Sequence, residues 1–265
     1  FGKLVSSSVC GTSTCEIKLM RFMPNSDYQW QVRAKVGGVW HEFSPKAWFS
    51  VASDFHYYFN TSADLELWNN IFGKWIIKDG RFRAAGIMDY INSTVHAGYY
   101  PKFKYIVRMR RITDPSSANT LYVRGRPYPI DSDKQWNNGY RFQYTNNGSF
   151  SVWKAVNGVY TALQNWTPTS AINQYGWNTL KVIGEGSNLK FYINDQLVWS
   201  GSDPSRPTGK VGIGYHKSSS TWQPLLVEGA HMFTKFTFAD EGDVWAEMGE
   251  PITGWDNPNE APPIP

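Results

Sequence analysis

Apolar and polar residues alternate with a period of two through much of this chain, which is the pattern of β-strands with one buried face. The alternation is clearest between Trp177 and Gly214. Leu180 and Val182 share a face, Gly184, Gly186 and Asn188 interrupt, and Leu189, Phe191 and Ile193 resume until Asn194-Asp195, a pair suited to a tight hairpin turn with positive φ. After the loop at Pro204 to Pro207, Lys210 to Gly214 restarts the pattern, so the whole stretch predicts an antiparallel meander. Phe55, Tyr57 and Phe59 alternate as well, Ala63 to Trp68 reads as a short helical turn or irregular loop, and Lys74 to Ala84 reads as a hairpin turning at Asp79-Gly80. Further strands are expected at Phe103 to Ile112, Leu121 to Arg124, Gly139 to Thr145, Ser149 to Val156 and Leu225 to Phe238, two of them joined by Asn146-Asn147-Gly148.

The Trp177 to Gly214 meander resembles the back half of the concanavalin A-like jelly roll, the family of laminin-G-like, legume-lectin and pentraxin-like domains. The opening from Phe55, an apolar strand followed by a Trp-containing strand, a turn and another strand, resembles the start of many bacterial jelly rolls, so the resemblance extends from about Phe55 to Phe238. A second resemblance lies upstream. Phe22-Met23-Pro24-Asn25-Ser26-Asp27-Tyr28 and the alternating Trp30, Val32 and Ala34 resemble the E–F corner and F strand of a fibronectin type III domain, with Tyr28 as the corner tyrosine. Gly37-Gly38 gives a turn, and Trp48, Phe49 and Val51 resemble the closing strand. A complete domain of that kind has about 100 residues and seven strands, so only half is present. The expectation is an all-β chain: a partial fibronectin-III-like half-sandwich at 1–52, a jelly-roll sandwich at 53–240, and an extended Pro-rich C-terminal arm or linker at 241–265.

Composition agrees with an all-β chain: aromatic residues make up 16 %, and 23 Gly and 15 Pro punctuate the strands. The net charge of +4 comes from scattered Lys and Arg with no basic block to track a phosphate backbone, which argues against nucleic acid. The densest cluster, Arg108-Met109-Arg110-Arg111, reads as a solvated strand face. No apolar run approaches the roughly 20 residues of a membrane-spanning helix. Because the sequence starts at Phe1 without an apolar leader, it reads as a processed chain or a fragment. Cys10 and Cys15 are the only cysteines and have no ligand partners nearby, so a short-loop disulfide and an extracellular or cell-surface setting are expected.

Catalytic chemistry is sparse. Family 16 glycoside hydrolases share the jelly roll and carry Glu-x-Asp-x-(x)-Glu on one strand, a string this chain lacks; Glu228 is an isolated acid in the last strand region. His41, His56, His96, His216 and His231 lack metal-site spacing and read as surface or capped histidines. Jelly rolls of this superfamily often hold a structural calcium, and Asp54 and Asp240, which bracket the domain, are the candidate ligands. Tyr128, Trp136, Trp166 and Trp222 set flat apolar rings beside amides and hydroxyls in expected loops, a pairing that suits a sugar. In the Pro-rich arm, Ile252, Trp255 and Ile264 could dock on a neighbouring molecule, so self-association through the termini is a further expectation. Together these readings favour a non-enzymatic extracellular structural or adhesive protein, possible subunit of a fibre or surface layer, with a carbohydrate-binding module of a larger secreted protein as the alternative and a glycoside hydrolase as the weaker one.

Overall fold

Two-residue turns with positive φ set the strand boundaries. In the computed structural model, which describes residues 26–51, 54–85, 91–130, 132–216 and 224–234, Asp79 and Gly80 have φ of 55° and 63°, and Asn194 and Asp195 have φ of 47° and 62°. Both pairs match the twist that a right-handed hairpin needs, which residues tolerant of the left-handed region supply. The upstream strands are β1 (Ser26–Trp30), β2 (Lys35–Val36), β3 (Val39–Trp40) and β4 (Ala47–Val51). The sandwich begins with β5 (Phe55–Tyr57), a 3-10 turn at 62–65, β6 (Trp68–Phe72), β7 (Lys74–Lys78), β8 (Arg81–Ala85), β9 (Ile91–His96) and β10 (Phe103–Arg110). It continues through β11 (Asn119–Ile130), β12 (Trp136–Tyr144), β13 (Ser149–Val156), β14 (Val159–Pro168) and β15 (Asn178–Glu185). The last strands are β16 (Asn188–Ile193), β17 (Gln196–Ser202), β18 (Lys210–His216) and β19 (Leu226–Phe233).

Two antiparallel sheets face each other, and no α-helix occurs among the described residues. One sheet runs β17-β16-β15-β10-β19-β8-β7, with β5 also paired to β19; the other runs β14-β13-β12-β11-β18-β9-β6. Alternate residues of each sheet point inward, and these are the apolar positions read from the sequence. Tyr105, Val107, Leu180, Val182, Leu189 and Phe191 from the first sheet meet Leu121, Val123, Phe142, Val152, Val211 and Ile213 from the second in one buried cluster. Burying an aliphatic side chain of this size stabilises by about 1.5–3 kcal/mol, so the alternation itself selects the register. The first and last sandwich strands pair as expected: Phe55 lies opposite Met232.

Several expectations change. β11 runs on to Ile130 through Pro127 and Pro129, so Tyr128 belongs to a strand and not to a loop. The sequence reading also omitted β6, β9 and β14. The Arg108 to Arg111 cluster is not a solvated face: Arg108 is buried on the outer side of β10, Met109 is in the core, and Arg111 is buried in an ion pair with Asp114. His96 and His231 are likewise fully buried and not surface histidines. Residues 26–51 form two separate two-stranded sheets, β1 with β4 and β2 with β3, and a fibronectin-type sandwich is not shown by them. Cys10, Cys15, Trp222, Asp240, Ile252, Trp255 and Ile264 lie outside the described residues, and with them the disulfide and the arm.

Candidate functional site

The outer face of the seven-stranded sheet gathers aromatic and polar side chains into two cross-strand rows. Tyr140, Phe142 and Tyr144 point into the core, so Arg141 and Gln143 between them point outward. Register then aligns Val95, Gly212, Tyr122, Arg141, Trp153 and Ala162 in one row. Ser93, Gly214, Thr120, Gln143 and Ser151 make the second. The Arg141 guanidinium sits 4.2 Å from the ring centroid of Tyr160, and the Gln143 amide donates to Thr120 Oγ1 at 3.0 Å. Glycines make room for the rings: a Cβ on Gly212 would stand 2.5 Å from Trp136 Cη2, and one on Gly214 would stand 2.9 Å from Tyr122 Cε2.

This face has a buried floor and a partly open rim. Trp136 stacks on Tyr122 with centroids 4.3 Å apart and planes at 13°, and its indole N–H donates to Ser93 Oγ at 3.1 Å. With 1 % and 2 % exposure respectively, Trp136 and Tyr122 have no ring face left for a ligand. Trp136, expected in a loop, therefore starts a strand and supports the surface. Trp153, Tyr160 and Gln143 are half-buried along the row. Trp166 is 43 % exposed on the edge strand β14 and, two residues before Pro168 opposite Ser149, lies on the same face. Tyr128 is 65 % exposed farther along β11. Arg141, Gln143, Trp153 and Tyr160 were missed because aromatic residues were sought in loops; the signal was the polar member of each alternating pair in Tyr140 to Tyr144.

Of the two expected calcium ligands, only Asp54 lies among the described residues. Asp54 Oδ1 accepts two bonds of 2.7 Å from Thr234, one from the backbone N–H and one from Oγ1, closing β5 onto β19. No group of three or more His, Asp, Glu or Cys that could hold a metal occurs among the described residues.

The opposite outer face, on the eight-stranded sheet, holds the acid singled out in the sequence. Glu228 lies between Arg81, at 3.3 Å, and Arg108, at 3.4 Å, and both guanidiniums stand 5.5 Å from the centroid of Trp177. Burial lowers the Arg108 pKa while Glu228 works against that shift. At the sandwich end, Gly98 N–H donates to His96 Nδ1 at 3.2 Å and the Tyr100 hydroxyl lies 2.9 Å from the same atom, which leaves the proton on Nε2, 3.4 Å from the Tyr57 oxygen. Burial, followed by the charge of Lys210, holds His96 down to about 3, and burial followed by His56 does the same for His231. Neither imidazole is poised for acid–base exchange near neutrality.

Residues 54–227 match the family of 3-keto-alpha-glucoside-1,2-lyase-like domains, a description of carbohydrate chemistry. No curated protein matches the chain. Among solved structures, a native glycosidic hydrolase aligns at 11 % identity with a TM-score of 0.53, over 71 % of this chain and 99 % of that one. The β-glucanase of Bacillus licheniformis aligns at 13 % identity and 0.52, over 69 % and 98 %. A Bacillus subtilis protein of unknown function with a galectin-like fold aligns at 11 % identity and 0.52, over 68 % and 94 %. These likenesses establish a concanavalin A-like lectin/glucanase-type β-sandwich.

Proposed function

The chain belongs to the 3-keto-alpha-glucoside-1,2-lyase-like domain family, and from that premise we propose that its sandwich is a carbohydrate-binding domain of a larger secreted or cell-surface protein. The observation that carries this reading is the rim of Trp153, Tyr160 and Trp166 beside Arg141 and Gln143 on one sheet face. A sugar ring offers an apolar face and a fringe of hydroxyls, and such a surface offers rings to stack on and amide and guanidinium groups to bond. The family's chemistry favours this over the structural or adhesive role expected from the sequence. Binding to a glycan array, followed by calorimetry on the hits, tests it. Trp153→Ala and Trp166→Ala should each weaken binding about tenfold, the worth of a lost aromatic contact of about 1.4 kcal/mol. Unchanged affinity in both would remove this face from the proposal.

An enzymatic reading rests on the family's name and on Glu228. Its carboxylate is fixed between the guanidiniums of Arg81 and Arg108, a placement suited to stabilising positive charge that develops on a bound substrate. Turnover of 3-keto-glucosides or β-glucans that disappears in Glu228→Gln, with binding kept, would support that reading; turnover untouched by the change would reject Glu228.

A further inference from the structure

A second polar cluster lies at the end of β11, beyond the irregularity that breaks its pairing between Val123 and Arg126. There Arg126 stands directly opposite Asn138 of β12. The Arg206 guanidinium reaches the same position from the loop before β18, donating through Nη2 to Asn138 Oδ1. That oxygen also accepts the Asn157 backbone N–H at 2.9 Å, so the amide is held from two sides. Arg124 Nη1 donates to the Arg206 carbonyl at 3.2 Å, tying the loop to the sheet. One guanidinium thus holds the amide, and a second arginine stands across the strand pair from it. The carboxylate of Asp203, three residues before Arg206, is engaged elsewhere, by Lys154 at 2.6 Å and by the Ser205 N–H at 2.8 Å. Neither Arg126 nor Arg206 has a carboxylate at ion-pair distance among the described residues. The proximity is felt electrostatically: after desolvation, the charge of Arg126 is the next largest influence lowering the Arg206 pKa.

Tyr128 completes the arrangement. It follows Arg126 by two residues on the same strand and is 65 % exposed, so its ring is offered to solvent at this end of β11. Like charges held together cost free energy unless an anion joins them, and planar guanidiniums match carboxylate and sulfate oxygens in geometry as well as charge. An aromatic ring alongside can take the apolar face of a sugar.

We propose that Arg126, Arg206 and Tyr128 form a subsite for an acidic sugar unit, one bearing a carboxylate or a sulfate ester. The subsite rests on the carbohydrate-binding reading and narrows it from glycans in general to polyanionic ones. Calorimetry of the full chain with oligogalacturonate, dextran sulfate oligomers and neutral dextran oligomers tests it. Arg126→Gln and Tyr128→Ala alter exposed side chains and should leave folding intact; Arg206→Gln also removes a bond to Asn138 and serves as the third variant. The expected result is binding of one or both acidic oligomers that weakens with salt and falls about tenfold in Arg126→Gln, as for loss of one charge-assisted contact. Preference for oligogalacturonate or for dextran sulfate identifies the anion. Acidic oligomers bound equally well by Arg126→Gln and Tyr128→Ala would overturn the subsite and leave the carbohydrate reading standing, as would binding of the neutral oligomers alone. Absence of binding to all three oligomers would overturn the subsite, while the glycan array decides the carbohydrate reading separately.

Discussion

Gly125 and Trp136 should be coupled in stability, and the size of the coupling follows from their geometry. A Cβ built on Gly125 overlaps Cζ3 and Cε3 of the Trp136 ring, while the nearest backbone atom, the Lys210 carbonyl oxygen, is an ordinary 3.5 Å away. The ring is therefore the only obstacle. It cannot swing aside, because Tyr122 stacks on one side at 4.3 Å and Ser93 anchors the indole N–H at 3.1 Å. Gly125→Ala should then cost about 1–3 kcal/mol as an overpacking change. Trp136→Ala removes a fully buried ring and should cost about 3–5 kcal/mol. If both effects share the same space, the double variant should cost no more than Trp136→Ala alone, since the added methyl enters the vacated volume. The interaction free energy is then about 1–3 kcal/mol in favour of the double variant. Denaturant unfolding of all four proteins, followed by circular dichroism so that the lost tryptophan does not alter the probe, supplies the cycle. Additivity within about 0.5 kcal/mol would refute the stacking arrangement and the buried floor built on it.

Three further outcomes are expected. Asn178 should be a structural hub: its Oδ1 accepts from Asn173 N–H and the Asn194 amide, and its Nδ2 donates to the carbonyls of Asn173 and Gly176, so Asn178→Asp, which replaces the donor with an acceptor, should lower unfolding free energy by about 2–4 kcal/mol. Stability should fall as pH drops below about 6.5, because His96 and His231 are held down to about 3 and the unfolded chain binds their protons first; between pH 7 and pH 4.5 each should remove about 2–3 kcal/mol, and a flat pH profile of the unfolding midpoint would contradict this. Asp203, lowered to about 2 by Lys154 and Ser205 against the opposing effect of burial, should extend the same trend at lower pH, an extension that Asp203→Asn abolishes in urea unfolding between pH 4 and pH 2.

Local chemistry made the hairpins legible, and distance hid the sheets. Asp79-Gly80 and Asn194-Asp195 announce their turns because few residues adopt positive φ cheaply, and Leu189, Phe191 and Ile193 announce a buried face because a one-residue slip would expose all three. Nothing in a window of ten residues says that β10 lies between β15 and β19, or that β18 is inserted between β11 and β9. Those neighbours are far apart along the chain and are chosen by core packing. Pro127 and Pro129 misled for a related reason: proline interrupts hydrogen bonding within a sheet, yet β11 accepts both where its register has already shifted beyond Arg126.

The candidate site was hidden by the same alternation that revealed the fold. In Tyr140-Arg141-Phe142-Gln143-Tyr144 the three aromatic residues attract notice and all three are buried, while the polar residues between them carry the outer face. A single strand cannot show that Arg141 is flanked by Tyr122 and Trp153, since each neighbour comes from a different strand and only register unites them. The same logic separates Trp136 from Trp166. Both precede or follow polar residues and look alike in sequence, but two glycines, Gly125 and Gly212, open a slot into which Trp136 packs, whereas Trp166 sits on the edge strand with much of its ring in solvent. A tryptophan facing glycines across neighbouring strands is thus a packing residue, and one at a sheet edge remains available to a ligand. Exchanging the two roles makes a direct test: Trp166→Ala should leave the unfolding midpoint within the scatter of an ordinary surface change of about 0.5 kcal/mol while reducing glycan affinity, and Trp136→Ala should do the reverse in order, losing stability first. A Trp166→Ala protein that unfolds early and binds normally would show that the edge ring packs and does not bind.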